Sequence, residues 1–136
     1  MRLPRLLTPR TVASAHCDLP CGVYDPAQAR IEAESVKAVI EKYLANEDPA
    51  FRTRALIIKE QRAELVKHHL WVLWTDYFKA PHFEKYPNLH QLFNEATKLA
   101  GGGAGGTKAS VDVAAADQLL AKIDEIAKIF WETKQA

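Results

Sequence analysis

The sequence predicts an all-α protein, an up-and-down four-helix bundle with a short hook ahead of it. Three observations carry that expectation. Apolar residues recur at helical spacing through four segments. Short links rich in Asn, Asp, Pro and Gly separate those segments. No segment shows the alternation of a half-buried strand. The chain has 136 residues, 48% hydrophobic and 26% charged, which suits one domain with a helical core and no disulfide staples.

The elements follow in order. Residues 1–15, MRLPRLLTPRTVASA, hold Arg2, Arg5 and Arg10, no acid and two prolines, with no helical or strand period. The ending ASA has the small residues of a cleavage site, but a secretory signal needs a longer apolar centre than Leu6-Leu7. This stretch reads as a removable leader, with an uncleaved ragged terminus as the alternative. Residues 16–24 form the hook, and residues 25–136 the bundle.

Asp25-Pro26 opens the first helix, whose stripe is Ala29, Ala33, Val36, Ile40, Tyr43 and Leu44. Asp48-Pro49 repeats the signal. A second helix then meets no Gly or Pro until Pro81, so it should run to about Ala80 as a rod of about 45 Å. Its expected inward face is Phe51, Ala55, Ile58, Leu65, Val72 and Leu73. PHFEKYP, residues 81–87, is a compact connector. A third helix carries Leu89, Leu92, Phe93, Ala96 and Leu99. GGGAGG, residues 101–106, reads as a flexible turn. The last helix runs from Val113 through Leu119, Ile123 and Ile126 to Phe130.

Charge excludes some functions. The formal net charge is +1, but residues 1–15 hold +3, leaving 15 basic and 17 acidic side chains beyond them. No basic stripe of a nucleic-acid protein is present. No apolar run approaches the roughly 20 residues of a membrane span. Two cysteines make no secreted disulfide framework, and a cytoplasmic location is expected.

Both cysteines lie in HCDLPCGVY, residues 16–24. The C-x3-C spacing differs from the C-x-x-C of thioredoxin-like sites, and no second ligand cluster completes a four-ligand zinc site. His68, His69, His82 and His90 lie on or beside helices and read as packing or surface residues. If the chain is cut before His16, the hook offers a terminal amine, the Cys17 backbone nitrogen and the thiolates of Cys17 and Cys21. Two nitrogens and two sulfurs in a plane favour Ni(II) or Cu(II), and the His16 imidazole can reach an axial position. A small disulfide loop and a pair of inert thiols remain as alternatives.

The stretch HCDLPCGVYDPAQARIEAESVKA, residues 16–38, closely resembles the start of mature nickel-containing superoxide dismutases. Similarity continues in KEQRAELVKHHLWVLWTDYFKAPHFEKYP, residues 59–87, and in IFWETK near the end. Ala80 departs from the proline associated with that position, and the glycine run lies in a variable part of the family. The resemblance implies a superoxide dismutase, a homohexamer of four-helix bundles with one nickel ion per subunit. It also implies a dedicated leader-processing protease. Carried over, nickel is held by the His16 amine, the Cys17 amide and thiolate and the Cys21 thiolate, an N-terminal metal-binding hook. The imidazole of His16 joins in the oxidised state. Glu32 and Arg62 match residues that orient this imidazole. Asp18, Pro20, Tyr24 and Tyr77 match residues that shape the hook and its pocket.

The chemistry is consistent with that resemblance. Superoxide must reduce Ni(III) and oxidise Ni(II), and thiolates with an anionic amide stabilise the higher state. Superoxide is an anion, so with the chain beyond the leader formally negative, steering must be local; Lys79 is the candidate, with a solvated lysine as its ordinary role. The competing readings are a nickel storage or delivery protein, a dithiol oxidoreductase, and a structural bundle with an incidental disulfide.

Overall fold

Capping chemistry sets where the helices begin. The Asp25 carboxylate accepts the Ala27 N–H at 2.8 Å, and buried Pro26 already has helical φ and ψ. Helix α1 runs Ala27–Leu44 and buries Ala29, Ala33, Val36 and Ile40. The expected stripe stops there, since Leu44 is exposed. Asp48 accepts the Phe51 N–H at 2.7 Å and starts α2, Pro49–Val72. The computed structural model describes residues 22–135; the expected leader and His16, Cys17, Asp18, Pro20 and Cys21 lie outside the described residues.

The second helix departs from expectation in two ways. It ends before Ala80. After Val72 the chain widens into a π turn, Leu73–Tyr77, and the Phe78 N–H donates to the Leu73 carbonyl at 3.0 Å, five residues back. Phe78 is then extended and almost fully buried, against Phe83, Phe93 and Phe130. Burying this ring breaks the helix well before Pro81, which instead sits in the first turn of the short α3, Ala80–Lys85. The inward face also differs. Phe51 and Leu65 are exposed, while Ala55, Lys59, Ala63, Val66 and Leu70 are buried. The expected Ala55 and Leu73 do face the core.

Helices α4, Leu89–Leu99, and α5, Val113–Lys134, complete the bundle, the latter capped by Asp112 through the Ala114 N–H at 2.9 Å. The four long helices pack in the cyclic order α1, α2, α4, α5. Arg30–Asp124 at 2.9 Å and Lys37–Asp117 at 2.7 Å pair in opposite chain directions, so α1 and α5 are antiparallel. Among the described residues there is no strand, and no helix is long and apolar enough to cross a membrane.

The glycine run is an anchored loop, a correction to the flexible turn read from composition. The Thr107 N–H and hydroxyl both donate to the Leu99 carbonyl, at 2.7 and 3.0 Å. The buried Lys59 ammonium donates to the carbonyls of Thr107, Lys108 and Ser110 at 2.7, 2.9 and 2.8 Å. A Cβ on Gly106 would collide with the Gly101 carbonyl, which explains glycine there. Three charge-assisted bonds stitch α2 to the α4–α5 connection.

Lys59→Met should therefore destabilise the fold by about 3 kcal/mol or more, because three carbonyls lose a charged donor inside the protein. A urea-unfolding series measures this. A loss under about 1 kcal/mol would mean the loop closes without the lysine.

Candidate metal centre

One end of the bundle gathers the start of α1, the end of α2 and the end of α5. The π turn aims Tyr77 into this junction. Its ring lies 4.2 Å from that of Phe130 and 5.0 Å from that of Phe78, and stacks on His82 at 5.8 Å. Tyr24 meets it edge to face at 6.2 Å. The sequence-predicted pair Tyr24 and Tyr77 is thus brought together, just after the segment that carries both cysteines.

The Tyr77 hydroxyl has a defined direction. Thr133 Oγ1 lies 2.7 Å from Tyr77 Oη and also 2.7 Å from the Phe130 carbonyl. Thr133 has one hydroxyl proton, and the carbonyl can only accept it. Tyr77 therefore donates to Thr133, and its oxygen keeps lone pairs for a further donor.

Glu32 and Arg62 are also brought together. Arg62 Nη1 reaches both carboxylate oxygens of Glu32, at 3.0 and 3.1 Å. The Glu32 side chain is only 14% exposed and that of Arg62 44%, so the acid is the sheltered partner. Glu32 lies about 8 Å along α1 from its first residue. His69 stands close enough to feel it. Burial and then the neighbouring His68 hold the His69 imidazole below its ordinary range, against the opposite pull of Glu32.

Lys79 is exposed and extended at the start of α3, and its N–H donates to His82 Nδ1 at 3.1 Å. His90 Nδ1 accepts the Trp74 indole N–H at 2.9 Å and its ring stacks on Phe83 at 3.8 Å. His82 and His90 thus serve packing. Among the described residues no group of three or more His, Cys, Asp and Glu could hold a metal. The donors expected from the sequence, in residues 16–21, lie outside the described residues; a mixed nitrogen and thiolate set of that kind fits nickel.

The profile of nickel-containing superoxide dismutase matches residues 11–134. The chain belongs to the nickel-containing superoxide dismutase family. Nickel superoxide dismutases of Streptomyces coelicolor and Streptomyces seoulensis are each 63% identical over 134 residues, 98% of this chain and 99% of theirs. The native structure of a nickel superoxide dismutase is 65% identical, with a TM-score of 0.83, covering 89% of this chain and all of the other. The helical bundle is therefore that of the family.

Sequence reasoning missed one residue at this end. Lys134, in the last turn of α5, donates to the Gly22 carbonyl at 3.2 Å. Its ammonium lies over the Tyr77 and Phe130 rings, 5.8 and 5.2 Å from their centroids. The segment IFWETK, residues 129–134, contributed to the resemblance, but nothing in its pattern says that its last residue reaches back 112 positions.

His82 reports the local field. Burial, then the charges of Lys79 and Lys85, hold its pKa below the ordinary 6.5. Its neutral form is favoured, so any stability it contributes is present above pH 6.5 and is lost as pH falls. NMR titration should place its midpoint below 6.5, and Lys79→Met should move it upward. An unmoved midpoint would show that the Lys79 charge does not reach the pocket beside Tyr77.

Proposed function

We propose that this chain disproportionates superoxide at a nickel ion, one per subunit, held by His16, Cys17 and Cys21. The observation that carries this reading is the family match over residues 11–134, which includes the whole hook. Two superoxide anions and two protons give one dioxygen and one hydrogen peroxide. When bound, nickel supplies the one-electron couple that first accepts and then returns an electron. The chain supplies the rest. The His16 amine, the Cys17 amide nitrogen and both thiolates would form the donor set, with the His16 imidazole as a further donor. Asp18 and Pro20 shape the hook.

Glu32 orients that imidazole, and Arg62 fixes the direction of Glu32. The contact of Arg62 Nη1 with both Glu32 carboxylate oxygens supports this division of labour. Tyr24 and Tyr77 narrow the approach. Because Tyr77 donates its proton to Thr133, it accepts hydrogen bonds from the pocket and does not act as a proton donor in this arrangement. Lys79 supplies local positive charge for an anionic substrate, which its effect on His82 beside Tyr77 supports.

The chain assembles as a homohexamer in the cytoplasm. Partly exposed Ile57, Trp71, Trp74 and Trp131 are apolar surface that assembly can cover. Residues 1–15 are a leader removed by a dedicated protease. The small residues Ala13, Ser14 and Ala15 just ahead of the hook support this.

The leader is a chemical lock. While Ala15 is joined to His16, that nitrogen is an amide with no amine lone pair to donate. Forms beginning at Met1, Ala15 and His16 should all fold, since the helical caps begin at Asp25. Only the His16 form should consume superoxide after nickel loading. Comparable activity in all three would refute the terminal amine as a ligand.

A further inference from the structure

From the contact between Lys134 and Gly22 we infer a tether: Lys134 is a positioning residue that fixes the C-terminal root of the hook to the end of α5. The inference deepens the proposed function and rests on it, because it concerns how the bundle holds the segment that carries the nickel donors. Gly22 follows Cys21 directly in sequence. Its φ is +93°, a conformation that side-chain-bearing residues seldom adopt, so the chain turns sharply there. A sharp turn next to a ligand needs its peptide planes held, and the Gly22 carbonyl is held by the Lys134 ammonium at 3.2 Å.

Several features make this more than a chance surface contact. The ammonium lies over two rings, those of Tyr77 and Phe130, so its position is set from below as well as from the carbonyl. Those rings are themselves fixed. Phe130 is fully buried, and Tyr77 is bonded to Thr133 on the same turn of α5. The lysine also sits in the last turn of α5, where a cation complements the carbonyl end of the helix. One turn, Phe130 to Lys134, therefore supports Tyr77, which Tyr24 meets edge to face, and binds the hook's exit. Lys79, just ahead of α3, is exposed and has no comparable anchor to the hook among the described residues.

The test uses the full processed chain, beginning at His16, as wild type, Lys134→Met and Lys134→Arg. Methionine keeps much of the apolar stem and loses both charge and donor, whereas arginine keeps both. Two readouts do not depend on turnover. The first is hydrogen exchange of the Val23 and Tyr24 amides in metal-free protein, with α1 core amides as control. The second is release of bound nickel to a chelator. Lys134→Met should speed both by about fivefold, with control amides unchanged, and Lys134→Arg should restore most of the difference. Unchanged exchange and unchanged nickel release in Lys134→Met would overturn the tether. So would a loss confined to superoxide consumption and its salt dependence, which would make Lys134 a steering charge. If the wild type holds no nickel, the proposed function falls, while the exchange measurement still decides the tether.

Discussion

The wedge of Tyr77 between Tyr24, ahead of α1, and Phe130 on α5 is the contact on which the functional end of this bundle depends. A regular helix continuing through residues 73–80 would rotate Tyr77 and Phe78 away from their present places. The π turn instead sends Phe78 into the core and leaves Tyr77 beside Phe130. From that position Tyr77 meets Tyr24, stacks on His82 and bonds Thr133. A local widening of one helical turn thus draws three elements to one point. π turns often accompany functional sites, and here the geometric reason is visible in the two aromatic rings it redirects.

The opposite end of the bundle solves a different problem. The Lys59 ammonium bonds three carbonyls of the α4–α5 connection, so a loop rich in glycine is closed from inside. Two salt bridges along α1 and α5 fix their register between the two ends. Those surface pairs contribute little energy individually, and the apolar core beneath them carries most of the stability. Of the hook residues that are described, Gly22 and Val23 are exposed and only Tyr24 packs against the core. Under the proposed function the thiolates and a deprotonated amide are collected in that one short segment, while the bundle supplies Glu32 from α1 and Tyr77 from the π turn.

Much of this was legible in the sequence for identifiable reasons. Asp25 and Asp48 act as caps because short carboxylates ahead of proline satisfy the first free N–H groups. The stripes of α1, α4 and α5 follow burial closely, apart from the exposed Leu44. The second helix was harder. Its buried face includes a lysine, while Leu56, Ile57 and Leu65 are exposed, so hydropathy alone points the wrong way. Its end was hidden because no Gly or Pro marks the π turn; packing of Phe78 decides it. Glu32 and Arg62 stand 30 residues apart, and periodicity could not pair them; the family resemblance pointed to both. Lys134 escaped because a lysine in a last helical turn is ordinary until its partner, the Gly22 carbonyl, is known.

The proposed hook stands or falls on whether it binds nickel and lets it cycle between two oxidation states. The most direct measurement combines elemental analysis with superoxide consumption on protein beginning at His16. One nickel per chain is expected, with rapid turnover that disappears when the metal is removed. Stoichiometric nickel without turnover would instead indicate storage or delivery. A metal-free protein with its two cysteines joined as a disulfide would contradict the account at its root.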